Sequence, residues 1–149
     1  MSMTAFIEDL YEVFKSDIHG YLGKRVPKIP FPEGIILSKT DTPAEGETGR
    51  YLKGYQKLVG SLLWAVRHVS PICSYGVSQL CKLMATPTEL AWKSALHMLA
   101  YLYEHRHEGI TFSETNANPV AFVDASNKDD MHDGRTQYGY TIMWGGPII

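Results

Sequence analysis

The sequence predicts an α+β chain, and three observations predict it. Apolar residues recur at three- and four-residue spacing in separate segments as far as Gly109. Beyond Gly109 the spacing changes to short apolar runs bounded by turn residues, which is the pattern of strands. The chain has 149 residues with 44% hydrophobic content, which is enough to build a core, as one compact domain or as a piece of a larger one.

From Thr4 to Lys15, the residues Phe6, Ile7, Leu10, Val13 and Phe14 make an amphipathic helix that Thr4 is placed to cap. Its plain role is to pack on its own chain or a neighbour; docking a partner is the alternative. Between Ser16 and Tyr51, Pro27, Pro30, Pro32 and Pro43 alternate with five glycines, and the segment reads as a linker or a loop draped over something. In the next segment Leu58, Val59, Leu62, Leu63 and Val66 mark one helical face. After Ser70-Pro71 the run Ile72 to Met84 predicts a further helix, although Gly76 weakens it by about 1 kcal/mol against Ala. Thr86-Pro87-Thr88-Glu89 then predicts a helix start with Thr86 as cap, Pro87 in the first turn and Glu89 closing a capping box. That helix runs to about His107, with Gly109 placed to end it. Ile110 to Phe112, Val120 to Val123 and Tyr138 to Trp144 read as strands, and Gly145-Gly146-Pro147 turns the chain toward a fourth. The resulting division is 1–16, an amphipathic helix; 17–54, a Pro/Gly-rich linker; 55–109, a helical segment; and 110–149, the beginning of a sheet.

Composition bounds the function. A formal charge of -2 with a pI near 6.3 argues against a protein that neutralises phosphate over its whole surface, so any nucleic-acid contact must be local. No run approaches the ~18 apolar residues of a membrane helix, and the start lacks the basic and apolar regions of a secretory signal. The expectation is a soluble intracellular chain, of cytoplasm or nucleus, with no membrane contact. Cys73 and Cys81 stand eight apart, about 12 Å along a helix, too far for a disulfide. They read as reduced and buried. His105 and His107 flank a helix end, where the dipole favours cations without a ligand role. Asp129, Asp130 and Asp133 fail as a calcium loop because Met131 and Tyr140 occupy ligand places; they read as a hairpin loop bending at Gly134. Trp64, Trp92 and Trp144 read first as core aromatics and second as stacking surfaces, with Arg67, Lys82, Lys93 and Arg106 as candidate phosphate contacts.

The strings YQKLVGSLLWA, SYGVSQLCKLMATPTELAWKSALHMLAYL, GITFS and AFVDASNKDDMHDGRTQYGYTIMWGGPII, in this order, resemble the carboxy-terminal part of a copia-like LTR retrotransposon Pol polyprotein. The resemblance runs from Tyr55 to the end, and 1–54 fits only loosely. It implies a helical connection segment followed by the first strands of a truncated ribonuclease H-like fold. It also implies a parent that copies RNA into DNA and degrades the RNA of RNA·DNA hybrids, with template-primer and the remaining polyprotein domains as partners. Asp124, at the end of an apolar strand, would be that nuclease's first metal ligand, catalytic through Mg2+ ions that activate water. Without the resemblance it is a strand-end aspartate of the ordinary kind. The nuclease needs further carboxylates and the polymerase a paired-aspartate turn; Glu8-Asp9 lies in a helical pattern and does not supply it. The chain by itself is therefore expected to be inactive. A domesticated non-catalytic interaction or scaffolding module, and a relic without function, are the alternatives.

Overall fold

The computed structural model describes residues 2–38, 41–114, 118–126, 137–144 and 147–148. The chain separates into two compact units, Ser2–Gly109 and Ile110–Ile149. The first is helical and the second carries a small antiparallel sheet, so helix and strand are segregated along the chain as in α+β proteins.

In the helical unit, α1 (Thr4–Leu22) extends well beyond Lys15, because Ile18 and Leu22 continue the buried stripe of Ile7, Leu10 and Phe14. Gly23, at φ 60, ends it with its N–H on the His19 carbonyl. Thr4 does not cap this helix: Met3 is the cap position, and the Thr4 hydroxyl donates to the Arg106 carbonyl at 2.8 Å, pinning the start of α1. α2 (Glu47–Val69) takes up the last residues of the expected linker. It buries Tyr55, Leu58, Val59, Leu62, Ala65 and Val66, and each large side chain there contributes roughly 1.5–3 kcal/mol of transfer free energy. The Tyr55 hydroxyl donates to the Leu80 carbonyl at 2.7 Å, and burial pushes its ionisation above the ordinary tyrosine range.

The helix expected over Ile72 to Met84 is shorter: a 3-10 turn, Pro71–Cys73, leads into α3 (Ser74–Cys81). α4 (Glu89–Glu104) starts two residues later than the Thr86 reading. Its cap is Thr88, in extended backbone, whose Oγ1 accepts from the Ala91 N–H at 3.2 Å. Thr86 and Pro87 therefore precede the helix, although their types would suit a cap and first-turn position equally well. α1 packs mainly on α4, and α2 on α3 and α4.

The segment between α1 and α2 drapes over α3 and α4. Phe31 covers Gly76, the Ile29 carbonyl meets His97 Nε2 at 2.9 Å, and Leu37 is fully buried with its carbonyl accepting from Lys82 Nζ. Cys73 is buried and Cys81 half-buried, and both are free thiols. Burial raises both, Cys73 to about 11.

In the second unit, β1 (Val120–Ser126) pairs antiparallel with β2 (Gln137–Met143) from Val120 opposite Met143 to Ser126 opposite Gln137. β3 (Pro147–Ile148) adds a short pairing on β2. Ile110 to Phe112, expected as a strand, forms none: two apolar residues about Thr111 are too few to separate a strand from a loop by pattern, and Phe112 is exposed. Asp129, Asp130, Asp133 and Gly134, expected as a hairpin loop, lie outside the described residues. Among the described residues, no helix is long and apolar enough to cross a membrane.

Candidate functional site

Asp124 lies inside β1, opposite Gly139, with its side chain exposed. Alternation places it on one face with Val120 and Phe122, while Ala121 and Val123 share the other with Tyr138, Tyr140 and Ile142. Among the described residues no group of three His, Cys, Asp or Glu side chains is close enough to hold a metal ion. A lone exposed carboxylate does not fit a two-magnesium centre, which needs several oxygen ligands per ion. No catalytic step is therefore derived through Asp124.

Several of the other residues singled out in the sequence are engaged within the fold. Arg106 is spent inside the fold: Nε reaches Glu8 Oε1 at 2.9 Å, Nη1 donates to the Tyr103 carbonyl at 2.7 Å, and the guanidinium lies over the Tyr103 ring. Lys93 pairs with Glu89 at 2.9 Å, and that bond holds the Glu89 carboxyl below its ordinary range. Trp92 packs among Tyr51, Phe14 and Gly54. Trp144 belongs to the other unit. His105 Nδ1 is engaged by Glu108 at 2.7 Å.

Trp64 and Arg67 are different, because α2 presents them on one exposed face. Arg50, Lys53, Lys57, Gly60, Trp64 and Arg67 alternate three- and four-residue spacings, so they form a single stripe about 25 Å long at 1.5 Å rise per residue. All six are exposed, Trp64 by 54%. His68 holds the indole: its Nδ1 meets the Trp64 carbonyl at 2.7 Å and its ring lies 4.1 Å from that of Trp64.

Gly60 is the informative member. A glycine inside a helix costs roughly 0.5–1 kcal/mol against Ala, so it calls for a reason. Gly54 has one, since a Cβ there would meet the Trp92 ring at 3.2 Å; Gly76 has one in Met98 and Phe31. A Cβ on Gly60 would meet nothing within 4 Å. The open backbone beside Trp64 leaves room for another molecule to approach closely.

Charge agrees with that reading. Residues 48–88 contain no Asp or Glu but include Arg50, Lys53, Lys57, Arg67 and Lys82. α1 instead carries Glu8, Asp9, Glu12 and Asp17 against Lys15 alone. The acid-free stretch was the signal in the sequence that the overall charge of -2 averaged away. A basic stripe with an aromatic ring and an open backbone suits a polyanion with stacked planar groups. No family model, curated protein or solved structure matches the chain.

Proposed function

We propose that the chain belongs to the replication machinery of a copia-like LTR retrotransposon, as the segment that joins reverse transcriptase to ribonuclease H, and that α2 is its nucleic-acid contact. Lys and Arg of the stripe meet phosphates, Gly60 admits the sugar-phosphate backbone, and Trp64 packs on sugars or bases exposed there. Such contacts position a template-primer or hybrid without reading its sequence. The observation that carries this is the open Gly60 between Lys57 and Trp64 on a helix free of acid after Glu47. The order of the residue strings from Tyr55 onward supports the family. On this reading 110–149 supplies the opening strands of a ribonuclease H-like sheet, and the chain binds nucleic acid without cleaving it.

The test is binding of a short blunt RNA·DNA hybrid by fluorescence anisotropy over a salt series. Trp64→Ala is expected to weaken binding, by less than the ~1–3 kcal/mol that stacking on an unpaired base is worth, because the bases of a blunt hybrid are paired. Arg67→Ala should reduce the salt slope by about 1. Gly60→Gln should weaken binding while leaving the fold intact, and Asp124→Asn should leave affinity unchanged. Binding that ignores all of the α2 substitutions overturns the assignment.

One observation favours the second reading, an interaction module. Val123, Tyr138 and Tyr140 share one sheet face and are exposed by 75%, 73% and 61%. A chain that binds no hybrid but associates through that face would be such a module.

A further inference from the structure

A second surface feature lies in the helical unit, apart from the α2 stripe's Gly60-Trp64 end. Phe14, Asp17, Gly20 and Tyr21 of α1, Arg50, Tyr51 and Gly54 of α2, and Glu89, Trp92 and Lys93 of α4 line a cleft of about 490 Å³. Three features of it go together. First, its floor is aromatic: Tyr51 and Trp92 stack at 5.7 Å, and the Phe14 ring meets Trp92 edge-on at 5.9 Å. Second, it is open because two glycines line it. A Cβ on Gly20 would meet nothing within 4 Å, and Gly54 is what lets the outer edge of the indole approach α2 closely. Third, cations sit over its rings: Arg50 over Tyr51 at 5.3 Å, Lys93 over Tyr21 at 5.9 Å, and Lys57 over Phe14 at 6.0 Å.

Counting Lys57 over Phe14, the cations about the cleft, Arg50, Lys57 and Lys93, outnumber the carboxylates Asp17 and Glu89 by one. Glu89 is engaged by Lys93 and lies in the field of Arg50, while Lys57 meets the Phe14 ring. The first turns of α2 and α4 both border the cleft, and the positive end of a helix dipole favours negative charge there. A lone phosphate would leave the aromatic floor uncovered, and a neutral ring would leave the cations unused. A planar base joined to a phosphate uses both.

We propose that this cleft seats one nucleotide, its base against Trp92 and Tyr21 and its phosphate on Arg50 with Lys57. Arg50 and Lys57 also begin the α2 stripe, so an unpaired nucleotide at the end of a strand held along α2 reaches the cleft without leaving the protein. That source rests on the nucleic-acid reading of α2, whereas seating of a free nucleotide does not.

The experiment uses the full chain with Trp64→Phe and Trp144→Phe, so that fluorescence reports Trp92 alone. 5′-AMP is expected to quench Trp92 saturably, and ribose 5-phosphate, which lacks the base, is not. Gly20→Leu fills the cleft at an exposed helical position with open space around it, so circular dichroism should be unchanged while the quenching is lost. Arg50→Gln should weaken AMP binding about tenfold, the order expected for losing one charge-assisted phosphate contact. A second arm, on the chain with native Trp64 and Trp144, compares a blunt hybrid with one carrying a short single-stranded overhang: Gly20→Leu should remove only the advantage of the overhang. Absence of blunt-duplex binding by the unsubstituted chain, with AMP quenching intact, sinks the α2 reading and leaves the cleft. Absence of AMP quenching, or quenching that survives Gly20→Leu, overturns the cleft assignment.

Discussion

Gly76 shows how a residue can mislead when only its neighbours in sequence are known. By propensity it weakens α3, yet a Cβ there would collide with Met98 Cε and come within 2.8 Å of Phe31 Cδ2. Met98 has a flexible end that moves cheaply; Phe31, whose Cβ is also at 3.0 Å, anchors the segment that crosses α3. Gly76→Ala is therefore expected to destabilise by about 1–2 kcal/mol, overpacking outweighing the gain in helix propensity. The same change at Gly60, where nothing lies within 4 Å, should stabilise by up to ~1 kcal/mol. Urea unfolding of the two variants checks the opposite signs; a stabilised Gly76→Ala chain would mean that Phe31 does not sit on α3 in solution. The distinction was illegible in the sequence because Phe31 and Gly76 are 45 positions apart. His97 shows the same limit. Burial holds its imidazole below the ordinary range, opposed by the bond to Ile29, and nothing in the sequence pairs those two residues.

At the scale of elements, the register of α4 turns on the order Thr-Pro-Thr-Glu. Thr86 and Glu89 have the spacing of a capping box, but Thr88 is the residue in extended backbone with an N–H on its Oγ1. Thr88→Ala is expected to cost about 1 kcal/mol, the usual loss for a cap. Thr86→Ala, at an exposed site, should stay within ~0.5 kcal/mol. Thermal melts of the pair decide between the two caps, and a larger loss at Thr86 would restore the earlier start. The existence of α1, α2, α4, β1 and β2 was legible: the helices carry three- and four-residue apolar repeats, and the strands carry short apolar runs bounded by turn residues. Boundaries were not: Ile18 and Leu22 carry α1 past Lys15, and Gly46, Gly49 and Gly54 disguised the first turns of α2 as linker. The candidate site was half legible. Trp64 and Arg67 stood out by type, whereas the stripe they belong to appears only when the exposed face of α2 is known, because Gly60 carries no side chain to notice.

Across the whole molecule the two units differ in how much they bury. The helical unit encloses a continuous core drawn from all of its helices, including Ile7, Tyr55, Leu58, Leu62, Leu80, Met98 and Leu99. In the sheet unit, Val120, Phe122, Val123, Tyr138, Tyr140 and Met143 all remain exposed. Ladder bonds alone stabilise a hairpin marginally, since independent stability needs further strands or a covered face. Opening free energy should therefore be distributed unevenly, with backbone hydrogen bonds in α2 and α4 opening near the global limit and those between β1 and β2 opening far more readily. Native-state hydrogen exchange followed residue by residue measures this. Amides of Leu58, Leu62 and Leu99 are expected to be the slowest, and those paired across Val123 and Tyr140 to exchange at least a hundredfold faster, a difference of about 2.7 kcal/mol or more in opening free energy. Equal protection in both units would require a cover over the Tyr138-Tyr140 face in solution. Protection that rises with protein concentration would then identify the cover as a second copy of the chain, because mass action stabilises whatever surface association buries.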